Sequence, residues 1–254
     1  MSSKDKSHAV IKPLPSRSYS FKQSSYSDVP GPLPASILIT APSNSGKTVL
    51  LQSMITDIWA QCFEAGVHIW SASINLDEAW KPVKVYMEQQ GFDPKQYCHE
   101  TFVESELLEL MSEQKSVIEY QKRKNHKVLY QQLYVIDDML DDKRLMRYSK
   151  QLEVLFARGR HMGITTIVSN QRYRALMPTA RISNTDEILF ANIRNAMDKK
   201  AWFEEQSALV PEDVMQEIYD RARKIPYAFI WIDRRAKDVN KLVHIGFNQP
   251  EKLE

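Results

Sequence analysis

Ile37-Leu-Ile-Thr-Ala-Pro-Ser-Asn-Ser-Gly-Lys-Thr48 decides the fold. An apolar run comes first, then a polar loop ending Gly46-Lys47-Thr48, then a helix-like segment over residues 49–62. Strand, glycine-lysine-threonine loop and helix, in that order, form the layout of a phosphate-binding P-loop. A triphosphate is a dense negative charge. Backbone N–H groups at a helix start, together with one lysine, supply what is needed to hold it. The usual pattern opens with glycine, whereas Ala41 opens this one. Alanine confines that backbone to negative φ more than glycine would.

Outward from the loop, apolar runs alternate with helical patterns. Strands are expected over residues 37–40, 67–71, 133–137, 164–169, 187–190, 227–232 and 241–246. Helices are expected over 47–62, 76–90, 104–124, 142–159, 195–206 and 211–223. Such alternation implies an α/β domain with a mostly parallel sheet covered on both faces. Ligands of such sheets bind at the carboxyl ends of the strands, where residues 41–48 would lie. Residues 1–35 are rich in Ser, Pro and Lys, and Pro13, Pro15, Pro30, Pro32 and Pro34 break any helix. They are expected to form a flexible arm, or a segment draped on the surface, ahead of a catalytic domain over 36–254.

Composition narrows the classes further. The 254 residues are 43% hydrophobic and 26% charged, with a net charge of +2. That suits a soluble globular domain and permits nucleic-acid contact without arguing for it. Cys62 and Cys98 stand in no metal-binding spacing, which argues against a zinc site or a disulfide framework and fits a reducing compartment. Met1-Ser-Ser-Lys-Asp-Lys has no signal-peptide core, so no secretion is expected. No apolar run approaches the roughly 18 residues of a membrane helix, so no membrane insertion is expected.

Three further segments carry chemistry. Leu133-Tyr-Val-Ile-Asp-Asp138 is an apolar strand ending in two carboxylates. Asp137 at the strand tip suits Mg²⁺ beside bound phosphates, and Asp138 could polarise a water for in-line attack. The plainer reading is an acidic turn that caps the next helix. Ile164-Thr-Thr-Ile-Val-Ser-Asn-Gln171 is a strand with a polar exit, where Gln171 could bond a γ-phosphate or the attacking water. Arg158 and Arg160 directly precede it, and Arg172, Arg174 and Arg181 follow. Arginine is a rigid, permanently charged fork matched to phosphate oxygens. Given by a neighbouring subunit, one arginine contributes ~10³–10⁵ in rate. Basic clusters at 122–127 and at Arg144-Leu-Met-Arg147 could grip a nucleic-acid backbone, or be solvated helix surface.

Together these residues resemble the FtsK–HerA group of P-loop ATPases. More narrowly, they resemble the genome-packaging ATPases of large double-stranded DNA viruses, poxvirus-like and iridovirus-like relatives included. The loop at 41–48, the Asp137-Asp138 pair, Arg158-Gly-Arg-His-Met-Gly-Ile164, Gln171 and Arg181-Ile-Ser-Asn184 carry the resemblance, over roughly residues 35–235. It implies a RecA-like sheet of order 5-1-4-3-2 and a homo-oligomeric ring, pentamer or hexamer, that threads double-stranded DNA into a capsid at a vertex protein. It implies ATP and Mg²⁺ as cofactors, and action in the host cytoplasm or in the virion. By position, Ser43, Asn44, Ser45, Gly46, Lys47, Thr48 and Val49 would bind ATP. Thr48 and Asp137 would hold Mg²⁺, Asp138 would activate water, Gln171 would act as sensor, and Arg158 or Arg160 would act across the subunit boundary. Alternatives are a cellular or plasmid DNA pump of the same group, a P-loop kinase with its arginines in a lid, and a non-catalytic nucleotide switch.

Overall fold

A computed structural model describes residues 17–26, 30–139, 149–247 and 251. In chain order the elements are β1 (Ser20–Phe21), β2 (Ser36–Thr40), α1 (Lys47–Ser53), β3 (Val67–Ser71), α2 (Lys81–Gln89), α3 (Pro94–Tyr97), β4 (Cys98–His99) and α4 (Glu104–Arg123). There follow β5 (Val128–Leu129), β6 (Gln132–Asp137), α5 (Lys150–Arg158), β7 (Ile164–Asn170), α6 (Pro178–Ser183), β8 (Asp186–Phe190), α7 (Ala196–Gln206), α8 (Glu212–Arg223), β9 (Phe229–Asp233) and β10 (Val243–Ile245).

The main sheet has eight strands in the order β10-β9-β8-β2-β7-β6-β3-β4. Numbered from the strand before the loop, its inner five run 5-1-4-3-2, all parallel. The full sheet is longer than expected. β4 extends one edge in parallel, and β9 and β10 extend the other antiparallel. The fold is therefore the α/β P-loop class, with a mostly parallel sheet.

Strand β2 is buried at every residue, as are β3, β6, β7 and β8. A parallel strand covered on both faces needs apolar side chains in both directions, hence the unbroken runs in the sequence. Ile37 and Ile39 face one core with Leu51 of α1 and Val83 and Met87 of α2. Leu38 faces the other, with Leu107 of α4, Leu155 of α5 and Trp202 of α7.

The loop conformation follows from its residues. Asn44 (φ 62°) and Gly46 (φ 93°) are left-handed, a state that asparagine tolerates and glycine adopts freely. Ala41 is not left-handed and packs fully buried in the core, so glycine is not required there. The helix expected over 47–62 ends early. After α1 the backbone widens to a π turn at Met54–Ile58.

The arm expected over 1–35 is held at residues 17–26. Ser20 and Phe21 pair in parallel with Val128 and Leu129. Gln23 bonds Leu33 in both directions, at 2.8 Å each. Phe21 fills the space over Gly163. Residues 1–16 and Arg144-Leu-Met-Arg147 lie outside the described residues, as does the start of the helix expected at 142. Among the described residues no helix is long and apolar enough to cross a membrane.

Candidate nucleotide site

The carboxyl ends of β2, β3, β6 and β7 bring the loop, both aspartates and Gln171 together. Lys47 Nζ lies 2.8 Å from Asp137 Oδ1 and 3.6 Å from Asp138 Oδ2. Asp137 is the last residue of β6, opposite Ser71 of β3 and Ser169 of β7. Both hydroxyls donate to its carboxylate, Ser71 at 3.5 Å and Ser169 more closely. The register of three strands thus fixes one acid beneath the lysine.

Asp138 takes a different path. Its backbone turns left-handed (φ 52°), anchored by its N–H to the Ser169 carbonyl at 3.0 Å. The carboxylate then reaches Gln171, whose Nε2 donates to Oδ2, while Gln171 Oε1 accepts from Ser43 Oγ at 3.0 Å. The two acids thus have different partners, Asp137 the strand-end serines and Asp138 the Gln171 amide. The cause is a backbone reversal rather than strand alternation. Asp138 Oδ1 is buried without a hydrogen-bond partner among the described residues, as are Ser45 Oγ, Thr40 Oγ1 and Asn170 Nδ2. Buried polar atoms usually have partners, so four orphans around one loop mark a place where a polar ligand fits.

The first helical bond of α1 runs from Leu50 N–H to the Gly46 carbonyl at 3.0 Å. The N–H groups of Lys47, Thr48 and Val49 precede that ladder and are available to an anion. The Val49 side chain is exposed, so only its backbone could take part. For a divalent ion, the donors are oxygens: the Asp137 and Asp138 carboxylates and the Thr48 hydroxyl. That set suits Mg²⁺ bound through one or two carboxylates and substrate phosphates. Among the described residues no group of three or more His, Cys, Asp or Glu forms an independent metal cage. Burial pushes the Cys62 and Cys98 thiols up to about 11, which leaves neither as a nucleophile at neutral pH.

The arginines divide differently. Arg158 ends α5 and Arg160 lies in the turn Gly159–Met162, both exposed at the amino end of β7. Seven residues of β7 separate that end from Gln171, about 20 Å at ~3.3 Å per residue. The chain does not bring them to its own loop. Arg181 is engaged within the fold, 3.0 Å from Glu205 and over the Tyr173 ring. Arg172 reaches Asp198 at 3.5 Å. The basic cluster at 122–127 lies by the arm, with Lys122 over Tyr19 and Arg17 bonded to Asn125 at 2.8 Å.

Sequence reasoning missed Ser71 and Ser169, whose polar character at strand ends was the available signal. It also missed Tyr227, expected to open a strand but found left-handed (φ 60°) in a turn before β9.

No curated protein matches the chain significantly. Among solved structures, the genome packaging NTPase B204 of Sulfolobus turreted icosahedral virus 2, in complex with AMP, superposes with a TM-score of 0.56 at 14% identity, over 84% of this chain and 96% of that one. The cytoplasmic domain of the Thermomonospora curvata type VII secretion ATPase EccC gives 0.52 at 13% identity, over 85% of this chain and 25% of that one. The pCW3 conjugation coupling protein TcpA, in a monomer form with ATPgS, gives 0.52 at 12% identity, over 84% and 60%. At such identities these likenesses show a shared fold. The profile of the Poxvirus A32 protein family matches residues 32–225. With the lysine, the paired acids and the glutamine gathered at one loop, this chain is a P-loop ATPase and belongs to the Poxvirus A32 protein family.

Proposed function

We propose that this chain is an ATP-driven motor that moves double-stranded viral DNA into a capsid without reading its sequence. The observation that carries the reading is the meeting of Lys47, Asp137, Asp138 and Gln171 beside one phosphate-binding loop. The B204 protein, solved with AMP, AMPPCP and ATP-gammaS, supports a nucleotide as the ligand.

Residues 43–49 would cradle the phosphates through their N–H groups, with Lys47 exchanging a carboxylate contact for a phosphate oxygen. Thr48 and Asp137 would hold Mg²⁺, which would supply positive charge to offset that of the phosphates. Ser71 and Ser169 keep Asp137 oriented for that role. Asp138 is suited to accept a proton from the attacking water, because one of its oxygens has no partner among the described residues. Gln171 touches both Ser43 of the loop and Asp138, so a change at the γ-phosphate would alter either contact. That linkage suits a sensor of hydrolysis.

Arg158 or Arg160 would serve the site of the next subunit in a pentameric or hexameric ring. Their exposure and their distance from their own loop favour action in trans over action in cis. Loss of the γ-phosphate would then remove contacts within and between subunits, and such differential contact is what shifts subunit orientation. A capsid vertex protein would be the docking partner, at a viral assembly site in the host cytoplasm.

The test is phosphate release from ATP with and without duplex DNA, read beside mass in solution. We expect release without any added acceptor, stimulated by DNA, and DNA affinity that drops steeply with salt. For six to ten phosphate contacts the drop is about 10³–10⁵ between 50 and 200 mM. Release only when a small acceptor is supplied would identify a kinase instead. DNA affinity flat in salt would remove the translocase reading.

A further inference from the structure

A cleft of about 310 Å³ opens beside the phosphate loop. Asn44 and Ser45 of the loop form one wall, Asn192 after β8 forms another, and Arg223, Pro226 and Tyr227 between α8 and β9 complete it. The chemistry assigned to Lys47, Asp137, Asp138 and Gln171 uses none of the walls beyond the loop. Its size falls at the lower end of small-molecule sites, which combine apolar and aromatic walls with a few polar groups.

Tyr227 is the unusual member. Ile225 to Ala228 is a turn closed by the Ala228 N–H to the Ile225 carbonyl at 3.2 Å, with Pro226 second and Tyr227 third at φ 60°. Proline followed by a residue of positive φ is the pattern of a type II turn, whose third position ordinarily takes glycine or asparagine. Here a bulky aromatic occupies it. Its side chain is not there to fill the core, because Tyr227 is 73% exposed. Its ring instead stands over the loop. A Cβ placed on Gly46 would meet Tyr227 Cδ1 at 3.4 Å and Phe190 Cε1 at 3.9 Å. An aromatic ring therefore stands at the junction between the phosphate cradle and the cleft.

We infer that this cleft is the nucleoside subsite, with the base of the bound nucleotide stacked on Tyr227 and its sugar beside Asn44 and Ser45. The proposal rests on the reading of residues 43–49 as the phosphate cradle. A ligand with phosphates on the Lys47–Val49 N–H groups enters the cleft with its other end, because Asn44 and Ser45 of the same loop are a wall of the cleft. The described lining has no carboxylate, so recognition comes from stacking, with the Asn192 amide and the Arg223 guanidinium as polar contacts. Stacking on one aromatic ring is sequence-tolerant, since every base has a π-face.

The experiment compares binding of ATP and of inorganic tripolyphosphate, each with magnesium, to the full chain and to Tyr227→Ala, Tyr227→Phe and Lys47→Ala. Tyr227→Ala should weaken ATP about tenfold, in the range expected for loss of one stacked base. It should leave tripolyphosphate within twofold, and Tyr227→Phe should restore ATP. Unchanged thermal unfolding checks that this exposed substitution leaves the fold intact. Equal weakening of both ligands by Tyr227→Ala, or of neither, overturns the subsite. Lys47→Ala should weaken both ligands. If it weakens neither while Tyr227→Ala still discriminates between them, the nucleoside subsite stands and the phosphate cradle falls.

Discussion

Two pairs of adjacent acids sit at opposite ends of the same sheet and behave as opposites. Among the described residues, Asp137 and Asp138 at the carboxyl end of β6 share a single cation, Lys47. Asp138 keeps 28% of its side-chain exposure and one oxygen without a partner among the described residues. Asp186 and Glu187, at the amino end of β8, each have an arginine of their own. Asp186 lies 2.7 Å from Arg235 Nη2 and accepts from Trp231 Nε1 at 3.1 Å. Glu187 lies 2.6 Å from Arg234 Nη2 and accepts from Trp202 Nε1 at 2.7 Å, with Gln206 alongside. Both side chains are fully buried. Burial pushes both carboxyls above their ordinary range, and the arginines pull them back. The difference lies in spare capacity. The β8 pair is satisfied by its own chain and can only hold the fold together. The β6 pair has more acceptor than the chain fills, and that surplus is what a cation or a water can use.

The sharpest way to break this contrast is Asp138→Asn. If the open pair is chemical, turnover of ATP falls by about 10²–10⁴, the worth of a positioned general base. Nucleotide binding and the unfolding midpoint stay near those of the parent. A midpoint lowered by many degrees would make the two pairs alike and would end the distinction. The mirror experiment is Arg234→Ala, which strands a buried carboxylate and should cost about 3–5 kcal/mol of stability. Turnover per folded molecule should hardly change.

The pH dependence of Arg234→Ala carries a definite sign. In the parent, burial already raises the Glu187 carboxyl above its ordinary value of 4.5 while Arg234 lowers it again. Without the guanidinium it rises further. A carboxyl raised in the folded state favours folding at low pH and loses that contribution as pH climbs through the raised value. The deficit of the variant should therefore be full at neutral pH and shrink on acidification toward 4.5, as denaturant unfolding at several pH values would reveal.

Much of this was legible because it is local. The loop, its lysine and the strands on either side follow from a dozen consecutive residues, and the buried parallel strands read directly as apolar runs. Asp137 and Gln171 were legible as polar strand ends. Other features depend on register or on distant sequence. Ser71 and Ser169 matter only because β3, β6 and β7 align their last residues. Glu187 and Arg234 are 47 positions apart, Asp186 and Arg235 are 49 apart, and neither pairing has a periodic trace. The two-residue strands β1, β4 and β5 are too short to show alternation. Tyr227 looked like the first residue of an apolar strand, because side-chain type says nothing about a left-handed backbone. Of the two readings of the arm, free or draped on the surface, polar composition does not choose, because the pairing of Ser20 and Phe21 with β5 is made by backbone groups.

The smallest expected effect sharpens the contrast most finely. A buried ion pair gains attraction but costs desolvation, and its replacement as a unit is often neutral. Glu187→Gln combined with Arg234→Met removes both charges of the closed pair. An amide at position 187 can still accept from Trp202 Nε1, which lies 2.7 Å from the present carboxylate. The double variant should therefore recover most of what Arg234→Ala loses and lie within about 1 kcal/mol of the parent in denaturant unfolding. No such exchange can rescue the open pair. Asp137→Asn combined with Lys47→Met removes both charges of the 2.8 Å pair in the same way, yet it removes the proposed magnesium carboxylate and the phosphate contact together. Recovery of stability without recovery of turnover is the outcome that separates a pair serving the fold from one serving a ligand.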